Sequence, residues 1–128
     1  MPDTDDKTIH DGHALWRRVH PDWIILDKNV DPPAYRPTSQ AFQNYRNTDT
    51  MSVLLGDDHR EPNRAVSGIH SAYSLAAFPA LLARQQNQVL VRAPEATEST
   101  HAHVSGKKTG SVRSALAKGC RWEVLRST

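Results

Sequence analysis

The sequence predicts an α+β fold in a single domain, and three observations carry that prediction. Short runs rich in β-branched and aromatic residues recur from residue 14 onward, punctuated by proline- and glycine-containing turns. One longer stretch, 69–86, places Ile69, Tyr73, Ala76, Ala77, Leu81 and Leu82 near the 3.6-residue period of a helix. No strand–helix–strand unit repeats, so the strands are expected to pair mostly antiparallel rather than in a doubly wound sheet. The expected architecture is a five- to six-stranded sheet around one main helix at about 69–86, with small helices near 40–45 and 112–118.

Each element follows from local chemistry. Residues 1–12 carry Asp3, Asp5, Asp6 and Asp11 without an apolar run, which predicts a disordered acidic leader before a domain spanning 13–128. Residues 14–20 are rich in large side chains, Pro21 interrupts them, and Asp22-Trp23-Ile24-Ile25-Leu26 resumes as a strand. Three prolines and two aspartates make 27–37 a predicted loop. Thr38 or Ser39 caps a helical turn with Phe42 and Tyr45 on one face. Residues 51–55 read as a buried strand stopped by Gly56, and 57–67, charged and aperiodic, as a mobile loop. Within 69–86, Pro79 removes an N–H bond and predicts a kink or a split. Gln88-Val89-Leu90-Val91-Arg92 is a strand, an acidic loop follows over 93–100, and His101 to Ser105 is another strand. Ser111 is placed to cap a short helix ended by Gly119. The last residues alternate, with Cys120, Trp122 and Val124 predicted inward. Leu54, Tyr73, Leu81, Val89, Val91 and Trp122 are the expected core, with Trp16 and Trp23 as further anchors.

Composition excludes several classes of function. The chain has 128 residues, 38% of them apolar, enough for one core of modest size. Its halves differ in charge: 1–60 hold 7 basic and 10 acidic side chains, 61–128 hold 9 and 4. A net charge of +2 allows contact with phosphate, but nucleic acid is not favoured as the partner. Cys120 is the only cysteine, so no intrachain disulfide forms and zinc sites built on paired cysteines are excluded. No apolar stretch reaches membrane-spanning length, and the acidic start is unlike a secretory signal, so a cytoplasmic, soluble protein is expected.

The richest stretch chemically is His101-Ala102-His103-Val104-Ser105-Gly106-Lys107-Lys108-Thr109-Gly110-Ser111. On a strand His101 and His103 share a face, and such a pair suits acid–base work on a phosphodiester. Lys107, Lys108, Thr109, Gly110 and Ser111 combine ammonium groups with a helix start, a candidate anion seat. The phosphate-loop signature needs a glycine where His101 stands, so an NTPase is not expected. No spacing selects third ligands for a metal beside the histidines, and no metal site is assigned.

A second constellation joins Arg17 and Arg18 to Arg36-Pro37-Thr38-Ser39-Gln40-Ala41-Phe42. An early-strand arginine followed by a hydroxyl and an aromatic is similar to the arrangement in ADP-ribosyltransferase-like and RES-type folds, at Arg17, Ser39 and Phe42. That resemblance implies an arginine on dinucleotide phosphates and an aromatic against nicotinamide. It leaves the catalytic glutamate unassigned, since Glu95, Glu98 and Glu123 stand elsewhere.

The expected function is a small non-catalytic binding or accessory module that recognises a protein partner or an anionic, phosphate-bearing ligand within a larger assembly. The alternative is an enzyme on a phosphate-containing substrate, using NAD through Arg17, Ser39 and Phe42 or hydrolysing a phosphodiester through His101 and His103. No cofactor is assigned by the sequence.

Overall fold

The computed structural model describes residues 4–126. In chain order the regular elements are β1 (Ala14–Val19), β2 (Ile24–Asp27), β3 (Ala34–Pro37), β4 (Thr50–Leu55), α1 (Gly56–His59), α2 (Pro62–Ala65), β5 (Ser74–Pro79), α3 (Ala80–Gln85), β6 (Val89–Arg92), β7 (His101–Ser105), α4 (Gly110–Gly119) and β8 (Arg121–Val124). Short 3-10 turns cover Pro21–Trp23, Ser39–Phe42 and Gly68–His70. Six strands form one antiparallel sheet in the order β6-β7-β4-β1-β5-β8, and β2 and β3 make a separate hairpin. The α+β class and the six-stranded antiparallel sheet match the sequence expectation.

The sheet is covered on both faces. One face, with Leu15, Val19, Met51, Val53, Phe78, Ala102 and Val104, packs against Phe42, Ala83 of α3 and Leu116 of α4. The other carries Trp16, Leu54, Leu75 and Ala77 and is closed by Ala65 and Val66. Burial of these side chains on both sides, at roughly 25 cal/mol per Å² of apolar surface, is the main stabilising term.

The predicted main helix over 69–86 is not there. Its first part is 3-10 turn and strand: Ile69 is 92% exposed, and β5 runs from Ser74 to Pro79 before α3 begins. Ser74, Leu75, Ala76, Ala77 and Phe78 are all buried, because β5 lies between β1 and β8 with both faces covered. Such a strand reads as a continuous apolar run, which mimics a helix stripe. Pro79, in extended conformation, is the boundary. The longest helix is instead α4, capped by Thr109, whose hydroxyl accepts from the Val112 amide at 3.3 Å, rather than by Ser111.

Four further expectations are corrected. The loop predicted over 27–37 contributes β3, which pairs Arg36 with Ile25 and Tyr35 with Leu26. The predicted mobile loop over 57–67 forms α1 and α2, and its Ala65 and Val66 are buried. The helical turn near 40–45 stops at Phe42, leaving Tyr45 74% exposed. Residues 4–12 are docked, not free: Ile9 is fully buried, the Asp6 amide donates to the Leu90 carbonyl at 2.7 Å, and the Leu90 amide donates to Asp5 Oδ1 at 2.9 Å. The acidic residues there serve as acceptors for the open edge of β6 and for Arg84, a use that composition does not reveal.

Of the expected core, Leu54 is buried, Tyr73, Val89, Val91 and Trp122 are partly buried, and Leu81 is 42% exposed on the outer side of α3. Trp16 is buried and Trp23 partly so. A register shift between Leu75 and Ala76 makes Val124 and Trp122 pair with consecutive residues of β5. Trp122 therefore packs towards Phe78's side of the sheet and Val124 towards Trp16's, instead of both facing inward together.

Candidate binding groove

The β2–β3 hairpin lies outside the main sheet and is tied to its last strand. The Trp122 indole N–H donates to the Tyr35 carbonyl at 2.9 Å. Between this hairpin and the C-terminal half of α4 run two adjoining cavities, about 240 and 410 Å³, that share Asp27, Arg36, Ala117 and Lys118. The larger falls in the lower part of the range of small-ligand sites, roughly 300–1,000 Å³, and the smaller just below it. Tyr35, Pro37, Arg121 and Trp122 line one end, and Ile25, Thr38, Ser39 and Ser114 the other.

Local sequence explains how these groups meet. Alternation on β3 puts Tyr35 and Pro37 on one side and Arg36 on the other, and Arg36 folds back onto Asp27 of β2 with Nε 3.2 Å from Oδ2. Lys118 sits in the last turn of α4, where a cation is favoured by the helix dipole, and Gly119 then turns the chain into β8. Three of the four charged side chains lining the groove are cations. Arg36 is held by Asp27 and Arg121 by Glu123 at 2.9 Å, while Lys118 makes no ion pair among the described residues. Thr38 adds a second signal: its Oγ1 is buried without a hydrogen-bond partner among the described residues, although its backbone amide is bonded to the Trp23 carbonyl. A buried hydroxyl without a partner is uncommon and points to a polar atom that belongs there.

Cys120 also lines the groove but is no nucleophile. Burial pushes its thiol up to about 11, and its S–H donates to the Ala117 carbonyl at 3.2 Å.

The residues singled out in the sequence are spread over the molecule. His101 and His103 do meet, edge to face with ring centroids 5.1 Å apart, and the Ala93 carbonyl lies 2.9 Å from His101 Nδ1. They pair with Leu54 and Ser52 and so face the Trp16 side of the sheet. Arg17 projects from the opposite face, that of Leu15 and Val19. The β1–β4 ladder stops after Trp16, and the Arg17 guanidinium fills the gap by donating to the Ser52 and Ala41 carbonyls at 2.8 and 2.9 Å. Burial pushes its pKa down to about 10. Phe42 is fully buried, edge-on to Phe78 at 6.0 Å, and offers no face to a ligand. Of Arg17, Ser39 and Phe42, only Ser39 lines the groove, beside Arg36 and Thr38 of the same stretch.

The lysine turn is used internally. Lys108 Nζ donates to Asn44 Oδ1, the Val104 carbonyl and the Gly106 carbonyl at 2.7, 3.0 and 2.9 Å. Burial pushes it down to about 8, with Asp49 acting against that shift and Arg17 adding to it. Lys107, Thr109, Gly110 and Ser111 are exposed while Lys108 turns inward, so the two ammonium groups do not converge.

Sequence reasoning missed Tyr35, Lys118, Ser114 and Trp122 as groove residues. The available signal was the β-forming Ile24-Ile25-Leu26 and Ala34-Tyr35-Arg36 flanking a turn-rich 28–33, which is a hairpin pattern with a long loop. Searches among known protein families, curated proteins and solved structures find no match for this chain.

Proposed function

We propose that this chain is a small non-catalytic binding module that recognises an anionic, phosphate-bearing ligand or group in the groove between the β2–β3 hairpin and α4. The observation that carries the reading is the groove's lining: Arg36, Lys118 and Arg121 beside Tyr35, Pro37, Ala117 and Trp122, with the unpartnered Thr38 hydroxyl at one end. Cations in a partly desolvated groove attract anions more strongly than they do in open water, and hydroxyls supply the short polar contacts that orient them.

The catalytic alternative has less to support it. It needs the histidine pair or the Arg17 group to act on a bound substrate, yet the sheet separates them and Phe42 lies in the core. Among the described residues no helix is long and apolar enough to cross a membrane. A cytoplasmic setting, where phosphate-bearing ligands abound and a lone thiol stays reduced, fits the proposal.

Calorimetric titration of the protein with inorganic phosphate, adenosine monophosphate and a phosphopeptide tests the reading. Binding of at least one is expected, weakening as salt is added and lost in Lys118→Glu/Arg121→Glu. Equal binding by wild type and the double variant would remove the groove from the account.

A further inference from the structure

We propose that the outer edge of β2 is a docking surface for a second copy of this chain, paired antiparallel about a two-fold axis at Ile25. The pairing needs no ligand in the groove.

The ladder shows that this edge is open. Opposite residues of an antiparallel pair alternate between exchanging backbone hydrogen bonds and turning those groups outward. The Thr38 amide donates to the Trp23 carbonyl at 2.7 Å, just before β2 pairs Ile24 with Pro37 and Ile25 with Arg36. Ile25 and Asp27 therefore bond to β3, and Ile24 and Leu26 turn their backbone groups away from it. On β3 the same alternation sends the Tyr35 carbonyl outward, where it accepts from the Trp122 indole. β2 has no such neighbour. The Ile24 amide is taken by the Pro21 carbonyl, while the Leu26 amide and the Ile24 and Leu26 carbonyls make no hydrogen bond among the described residues.

The side chains along the edge are apolar and uncovered. At the base of the hairpin Ile24 packs against the core, and Pro37 opposite it is buried. Further out the same face continues as Leu26 and Tyr35, each 42% exposed, and Ile25 on the other face is 40% exposed. Edge strands are ordinarily blunted by charge, a bulge or a covering loop, and a two-stranded hairpin by itself is marginal in water. An added strand answers both conditions.

Self-complementarity selects a second copy as that strand. With Ile25 on the axis, Leu26 lies opposite Ile24 of the second copy, so each Leu26 amide meets the other copy's free Ile24 carbonyl and apolar side chains pair across the junction. The same register brings Lys28 towards Asp22 of the second copy. Both side chains are exposed; Lys28 makes no ion pair among the described residues, and Asp22 has only the His20 ring nearby, at 3.6 Å. The two-fold axis makes this charge contact twice. Ile25 also lines the larger cavity, so the pairing sets the two grooves side by side, with Ile25 of the second copy beside the wall of the first.

Sedimentation equilibrium of the full chain from micromolar to millimolar concentration, without phosphate, tests the proposal. A reversible monomer–dimer equilibrium is expected. Leu26→Lys sets two charges against apolar side chains near the axis and is expected to weaken association roughly tenfold or more. Lys28→Asp brings like charges together and weakens it too, while Asp22→Lys/Lys28→Asp exchanges the charges and restores wild-type association. All three positions are exposed, so the variants are expected to melt like the wild type. Lys118→Glu/Arg121→Glu leaves association unchanged, which separates this surface from the proposed anion site. A monomer at every concentration, which would leave the edge to a strand of another protein, would overturn the proposal. So would an undiminished dimer in Leu26→Lys, or a double exchange that associates no better than Lys28→Asp alone.

Discussion

The indole N–H of Trp122 and the carbonyl of Tyr35 meet at 2.9 Å, and this bond spans 87 positions of sequence. It fastens a hairpin that belongs to no larger sheet onto the last strand of the main one, and so fixes one wall of the groove. Trp122→Phe keeps the ring and removes the donor. The expected loss of stability is about 0.5–1.5 kcal/mol, read from urea unfolding. Phosphate-probe affinity is expected to fall with it, and an unchanged midpoint together with unchanged affinity would mean that the hairpin is held by other contacts.

Ile9 is the apolar anchor of the N-terminal segment, fully buried in the larger core cluster. Ile9→Ala is expected to cost about 2–5 kcal/mol, the range for large-to-small core changes. A shift below about 0.5 kcal/mol, the surface scale, would place the segment off the domain.

Asp5 gives the same segment a pH dependence. Burial alone would raise its pKa, but the Leu90 amide, Lys7 and Arg84 outweigh that and hold it below the ordinary carboxylate range. A carboxylate with a depressed folded pKa adds stability that is complete above its unfolded value and is lost as pH falls through the folded one. The stability difference between wild type and Asp5→Asn is therefore expected to be largest near neutral pH and to shrink in acid below about pH 4. A difference that stays constant across that window would show that the aspartate's charge does not matter.

Lys107 and Lys108 are neighbours with opposite roles. Lys107→Glu is expected to leave the unfolding midpoint within about 0.5 kcal/mol of wild type, as for other exposed sites. Lys108→Met loses three hydrogen bonds from one ammonium and leaves Asn44 and two carbonyls to find other partners, so a loss of roughly 1–3 kcal/mol is expected. Equal effects from the two substitutions would contradict the inward placement of Lys108.

How far the fold could be read from the sequence depended on burial. Strands with turn residues at both ends, such as β4, β6 and β7, were legible from composition alone. β5 was not, because a strand buried on both faces loses the alternation that distinguishes it from a helix. The docking of the N-terminal segment is illegible for a related reason: one buried isoleucine and a set of aspartates paired across the chain look like solvated residues until their partners are known. At the site, Ser39 and Arg36 were visible as a polar constellation, but their companions Lys118 and Trp122 arrive from about 80 residues further along and only the topology brings them together. The histidine pair was correctly placed on one strand face, and periodicity could not tell that Arg17 would lie on the other side of the same sheet.

The central claim is that an anion binds between Arg36, Lys118 and Arg121, and amide- and indole-resolved NMR titration with a phosphate-bearing probe tests it most directly. The account predicts saturable shifts of the Trp122 indole N–H and of the Thr38, Ser39 and Lys118 amides, with the buried Trp16 indole unmoved. Shifts confined to the amides of Lys107, Thr109, Gly110 and Ser111, or no saturable shifts at all, would contradict it.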